Sequence, residues 1–190
     1  MAIVNESTGA DPLVFAREHL FDPLGISNVQ WQTNGAGIPI GFSHLSLKPL
    51  DMAKFGYLYL NNGTWDGEQI LTHEWVTDSS ESHIMLFGDT GYGYQWWVMD
   101  RTRGIYDARG MYGQRIIIIP KYDMVVVFVS SGTEREEELF YNFILAAVTD
   151  APPIGEFDDA LVYVSVFLAA SVAISAVSRA RARQKITRRL

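Results

Sequence analysis

Four histidines and four lysines carry most of the acid–base chemistry open to this chain, and there is no cysteine. A thiol nucleophile, a disulfide and a cysteine-ligated metal are therefore excluded. A serine nucleophile needs a base within reach of its hydroxyl. His44 follows Ser43 directly, but neighbours in sequence do not make a nucleophile and base, which must meet in space. His19 and His73 fall on helical surfaces, and His83 lies in a loop with Ser79, Ser80 and Ser82. No G-x-S-x-G elbow occurs. A lysine base would need S-x-x-K on a helix, which sets the amine one turn from the hydroxyl. The residues three before Lys48, Lys54, Lys121 and Lys185 are Leu45, Asp51, Ile118 and Ala182, so the motif is absent. No two histidines share a helix face, and Glu134, Glu136, Glu137 and Glu138 read as a solvated face rather than a metal site. No cofactor and no metal are expected.

One stretch keeps its backbone bare instead of offering side chains. "YDARGMYGQRIIIIP", Tyr106 to Pro120, opens glycine-rich and closes in four isoleucines. Its first part suits close approach of another group to the main chain. Its second part has no polar face and demands cover on both sides.

The elements that must hold this stretch follow from periodicity. "DPLVFAREHLF" has helical spacing, started by Asp11-Pro12. "LKPLDMAKFGYLYLNNG" is a second helix, stopped by Asn61-Asn62-Gly63. Thr72 caps a short third helix. Three strands are predicted, over 92–99, 109–120 and 123–131, the last two joined by the turn Pro120–Asp123. "EREEELFYNFILAAVTD" is an amphipathic helix with Leu139, Phe143, Ile144 and Ala147 facing inward. The order gives an α+β fold: an antiparallel sheet of three C-terminal strands flanked by helices. The helices at 11–22 and 49–60 are the nearest cover for its second face.

Beyond residue 150 the composition changes. With six of the 15 cations and none of the 22 anions beyond Asp159, residues 1–159 carry nine cations against 22 anions, a net charge of −13. A body so acidic is not expected to bind nucleic acid through phosphates. Ala160–Val177 has no charge and at about 1.5 Å per residue would span about 27 Å as a helix. The expected organisation is a domain over 1–150, a linker over 151–159, one transmembrane helix over 160–178 and a basic tail over 179–190. The arginines place the tail in the cytoplasm and the domain outside, so the membrane is an expected partner. "MAIVNESTGADPL" is no signal peptide, so either this orientation is wrong or the start of the protein is missing.

Several stretches together resemble one family. "FAREHLFDPLGI", "LSLKPLDMAKFGYLYLNNGTWDGEQIL", "YGYQWW" and "GMYGQRIIIIPKYDMVVVFVSS" are similar to the C-terminal half of serine β-lactamase-like hydrolases. That family includes class C β-lactamases, penicillin-binding carboxypeptidases, related esterases and 6-aminohexanoate-oligomer hydrolases. The likeness covers residues 1–148 and implies a partial β-lactamase/transpeptidase-like fold. In the family a five-stranded antiparallel sheet lies beside a helical subdomain, with the active site between them. S-x-x-K supplies the serine and lysine, Y-x-N a tyrosine, and K-T-G or H-T-G lies on the strand lining the site.

Here S-x-x-K is missing and Y-x-N would fall before Met1, since Tyr59-Leu60-Asn61 sits at a helix end too late in the chain. Ile105-Tyr106-Asp107 stands where K-T-G is usual, while Ala108, Gly110, Gly113 and Gln114 match the A-x-G-x-x-G-Q pattern of the 6-aminohexanoate hydrolase branch. The resemblance then implies an oxyanion-side strand at Ala108, Arg109 and Gly110. Arg109, Gln114 and Trp96 are the implied substrate-binding residues. Arg109 reads either as a clamp for a substrate carboxylate or as a surface arginine. Trp96 and Trp97 point in opposite directions, one into the core and one toward the cleft. The implied function is that of the C-terminal fragment of a membrane-anchored serine hydrolase, inactive alone. The alternative is a non-catalytic membrane-anchored module, with a separate polypeptide carrying the N-terminal half.

Overall fold

The computed structural model describes residues 1–132 and 135–149, together with the backbone of Ser175–Val177. Helices and antiparallel strands are mixed. Near the N-terminus lie α1 (Ala2–Thr8) and α2 (Pro12–Ala16), the latter continuing as a wider π-helical turn, Arg17–Phe21. The Asp11 carboxylate starts α2 by accepting from Leu13 N at 2.9 Å and Val14 N at 3.1 Å. A small hairpin follows, β1 (Gln30–Trp31) with β2 (Leu45–Ser46). Then come α3 (Pro49–Leu60), the short pair β3 (Thr64–Trp65) and β4 (Glu68–Gln69), and α4 (His73–Ser80). Proline at its first turn and Asn61 at its end give α3 the expected limits. Thr72 caps α4, accepting from Trp75 N at 3.1 Å.

The main sheet has seven strands among the described residues: β5 (Ile84–Phe87), β6 (Thr90–Tyr92), β7 (Trp97–Asp100), β8 (Ile105–Gly110), β9 (Gln114–Ile119), β10 (Met124–Phe128) and β11 (Ser175–Val177). They lie in the order β11-β10-β9-β8-β7-β6-β5, every pairing antiparallel. The chain closes with α5 (Glu136–Leu139), a π-helical turn Phe140–Leu145, and α6 (Ala146–Thr149).

Alternation along the strands divides the core in two. One face carries Tyr106, Ile116, Ile118, Val125 and Val127 and packs on α3 through Ala53, Tyr59 and Leu60. The other carries Ile105, Ile117, Ile119, Met124, Val126 and Phe128 and packs on Phe140 and Leu145 of the last helix. This double cover is why the isoleucine and valine runs need no polar face. Gly56 lets α3 approach closely, since a Cβ there would stand 2.6 Å from Val125 and 2.8 Å from Ile116.

Four expectations are corrected. The sheet has seven strands rather than three: Gly93–Trp96 and Met111–Gly113 are turns that divide the expected strands over 92–99 and 109–120, and β5 and β11 are two further strands that were not expected. In the last helix Leu139 and Ile144 pack on the core as expected, but Phe140 and Leu145 are the buried residues and Phe143, 63% exposed, and Ala147 face out, because its π turn puts positions five apart on one face. Among the described residues no helix is long and apolar enough to cross a membrane. Ser175–Val177, within the expected transmembrane helix over 160–178, is instead a strand that pairs with Val125–Val127. The single-pass placement, with the domain outside and the C-terminus in the cytoplasm, therefore falls. Residues 160–174 and 178, the linker over 151–159 and the basic tail over 179–190 lie outside the described residues.

Candidate active-site strand

β8 and β9 form the hairpin on which the sequence-derived site lies. Their register pairs Ala108 with Ile116, Arg109 with Arg115 and Gly110 with Gln114. On its other side β8 pairs with β7 only as far as Asp107, opposite Trp97. Before Trp97 the chain folds away into a turn closed by Gly93 N donating to Trp96 O at 2.8 Å, with Gln95 at φ +69°. Ala108, Arg109 and Gly110 therefore have a strand on one side and no ladder partner on the other among the described residues. Alternate residues of a strand direct their N–H and C=O to each side, so this three-residue edge presents main-chain donors and acceptors. The expectation of bare backbone here rested on glycine content, and the withdrawal of β7 is what opens it.

The turn after this edge is held from beneath. Tyr112 at φ +62° and Gly113 at φ +83° carry the chain from β8 to β9. Glu136 is buried against Gly113, where any Cβ would lie 2.1 Å from its Oε1. That oxygen is buried without a hydrogen-bond partner. The Gln114 side-chain amide donates to the Ser130 carbonyl and ties the start of β9 to the end of the β10 segment.

Beside the open edge a network of charges fixes Arg109. Asp107 is fully buried. Arg115 donates to Asp107 Oδ2 from Nε at 2.8 Å and lies 2.6 Å from it at Nη2. Arg109 Nε donates at 3.1 Å to both carboxylate oxygens of Asp107. Glu137 completes the set, with Oε1 3.4 Å from Arg109 Nη2 and 3.9 Å from Arg115 Nη1. The Arg109 guanidinium lies over the Trp97 ring at 4.9 Å from its centroid. Burial pushes the Asp107 carboxyl upward, and the guanidinium groups of Arg115 and Arg109 oppose it.

Two of the expected contacts change character. Trp96 is 3% exposed and lies in the core, stacked on Phe55 and packed against Tyr59 and Tyr106. Its neighbour Trp97 is the tryptophan on the face with Arg109. The glutamates, read as a solvated face, divide: Glu136 is buried and Glu137 pairs with the arginines. Arg115, Asp107 and Glu137 were missed by sequence reasoning. The signal was there in the hairpin, since Arg109 opposite Arg115 sets like charges together and demands an anion between them.

The histidines assemble no triad. His83 hydrogen-bonds the Asp78 carbonyl at 2.6 Å and stacks on Tyr94, and His19 packs on Phe15. Ser43 Oγ and His44 Nδ1 are 2.5 Å apart in an exposed loop distant in sequence from β8. A cavity of about 410 Å³, lined by Val76, Ser80, Arg101 and Tyr106 among others, does not include Ala108–Gly110.

Comparison with known proteins agrees with this architecture. The β-lactamase family model matches residues 1–151, and the chain belongs to the β-lactamase family. The 6-aminohexanoate-dimer hydrolase of Paenarthrobacter ureafaciens is 27% identical over 50% of this chain and 28% of its own length. A solved Bacillus anthracis protein that carries the provisional name 6-aminohexanoate-dimer hydrolase is 28% identical, with a TM-score of 0.69 over 80% of this chain and 42% of its own. The octameric penicillin-binding protein homologue of Pyrococcus abyssi, 19% identical with a TM-score of 0.58 over 77% of this chain and 40% of its own, shares the fold. The chain spans less than half the length of each of these relatives.

Proposed function

We propose that this chain forms the sheet side of a serine hydrolase active site, in which an ester or amide acyl group is transferred to serine and then to water. The observation that carries this reading is the open main-chain edge at Ala108–Gly110 in a member of the β-lactamase family. A main-chain N–H aimed at a developing oxyanion typically contributes about 3–4 kcal/mol to the transition state. Arg109, braced by Asp107, Glu137 and Trp97, orients an anionic part of the substrate with its remaining guanidinium edge. Gln114 and Glu136 hold the turn and act as positioning residues.

The nucleophile and base come from elsewhere, because S-x-x-K does not occur in the 190 residues. A polypeptide carrying the N-terminal half of the domain supplies them in this reading, and the chain alone is inactive. Its serine Oγ attacks the acyl carbon, its base takes the hydroxyl proton and passes it to the leaving group, and water then releases the acid.

A fluorescent penicillin or activated ester tests this. The chain alone is expected to show no covalent labelling, and labelling is expected on the serine of an added N-terminal half from a 6-aminohexanoate-dimer hydrolase. Loss of the nucleophile in a known serine protease removes about 10⁶-fold of rate, so the contrast is large. Stoichiometric labelling of a serine in this chain would overturn the reading. Failure of labelling in every complemented mixture would favour the alternative, a non-catalytic binding module.

A further inference from the structure

The cavity of about 410 Å³ lies at the end of β8 away from Ala108–Gly110. Its size falls within the range of small-molecule sites, about 300–1,000 Å³. Val98 and Tyr106, partners across β7 and β8, line it from the sheet, and both are buried. Val76 and Ser80 line it from α4, Glu81 from the residue that closes α4, and Arg101 from the turn between β7 and β8. The lining therefore holds two exposed side chains of opposite charge. Among the described residues neither Arg101 nor Glu81 takes part in an ion pair, with each other or with any other group. Arg101 makes only a weak contact, Nη1 donating to Met85 Sδ at 3.7 Å. The other arginine of the same turn behaves differently, since Arg103 Nη1 lies 3.2 Å from Asp100 Oδ2.

We propose that this cavity is a binding site for a small amino carboxylate, with the carboxylate on Arg101, the ammonium on Glu81 and the apolar stem along Val76 and Val98. A simple anion entering here meets Glu81 and an acidic body, and a simple cation meets Arg101. A molecule that carries both charges satisfies both walls and brings no net charge. The planar guanidinium suits a carboxylate, because two of its N–H groups reach the two oxygens together. The ammonium offers three donors to the Glu81 carboxylate. The site is separate from the open strand edge, since Ala108–Gly110 take no part in its lining. It is independent of whether a second polypeptide completes a hydrolase.

Isothermal titration calorimetry of the full chain tests the site. The probes are β-alanine, 4-aminobutyrate and 5-aminopentanoate, each compared with the plain acid and the plain amine of the same length. At least one probe is expected to bind with a Kd of about 1 mM or lower, which is within reach of so small a ligand. Its plain acid and plain amine are expected to bind at least about fivefold more weakly, because each lacks one charge-assisted contact. The changes Arg101→Gln and Glu81→Gln each remove one charge from an exposed position, so the fold is expected to persist. Each should weaken the probe at least about fivefold. Arg101→Gln should also erase the advantage of the probe over the amine, and Glu81→Gln its advantage over the acid. That crossed pattern assigns each end of the ligand to its residue, which a general loss of shape would not produce. Absence of binding by all three probes at about tenfold that concentration would overturn the proposal. So would binding that neither change weakens, or a plain acid that binds as tightly as the amino acid of its length.

Discussion

Within a single hairpin, β8 and β9 do two kinds of work. At one end Ile105 lies beside Ile117, Ile118 and Ile119, all fully buried, with strands on both sides and helices on both faces. Four to five residues along, the same strands carry Arg109, Gly110, Gln114 and Arg115, one neighbour strand has turned away, and two residues of the turn adopt positive φ. Packing makes the first end insensitive to what lies outside the domain. The second end depends on a buried ion network and a glycine turn for its shape, and on an absent neighbour for its openness. A site of this kind is a rigid strand released from its ladder for a few residues.

The sharpest way to break the contrast is Asp107→Ala. It leaves Arg109 and Arg115 facing each other near the core, and removing one partner of a buried pair typically costs about 3–5 kcal/mol. Urea denaturation is expected to show that loss, and a cost under about 1 kcal/mol would mean that the network does not brace the hairpin. Gly113→Ala comes next, with an expected cost of about 1–3 kcal/mol from positive φ and contact with Glu136. The change Glu136→Ala should recover part of it, which a double-mutant cycle measures.

At the packed end, burial raises the Tyr106 hydroxyl well above its ordinary value, and Tyr59 adds to the rise. A folded-state pKa above the unfolded one favours the folded state fully below the unfolded pKa. That contribution is lost as pH rises past about 10, where the unfolded tyrosine ionises first. The thermal midpoint of the chain is expected to fall on that side, and Tyr106→Phe should flatten the fall. The smallest effect is Arg109→Lys. Its side chain is 28% exposed, so loss of the Asp107 fork and the Trp97 stack is expected to cost about 1 kcal/mol or less. A shift in tryptophan fluorescence should accompany it, since Trp97 lies under the guanidinium.

The same contrast divides what could be read from the residues. α3 was legible to its ends because Pro49 and Asn61-Asn62-Gly63 are local signals. The burial of Ile116–Ile119 and Val125–Val127 was legible because continuous β-branched runs require two covered faces. The turn at Met111–Gly113 was hidden, because glycines that suit a bare strand also suit a turn. Trp96 and Trp97 differ in fate because the Gly93–Trp96 turn, marked by no proline, sets which one points at α3. In the last helix Leu139 and Ile144 pack inward as read, while Phe143 and Ala147 do not, because a π turn breaks the 3.6-residue period on which the reading depends. The apolar run at 160–177 satisfied a composition rule for membrane spans, and composition does not register that its last residues pair with β10.

The central claim is that this chain supplies a carbonyl-cradling strand and no attacking group. Intact-mass spectrometry after incubation with an activated ester tests it most directly, with the chain alone and then with an N-terminal half bearing S-x-x-K. The account predicts an unchanged mass for this chain in both mixtures and one acyl adduct on the added half. An adduct on a serine of this chain, formed without the second half, would contradict it.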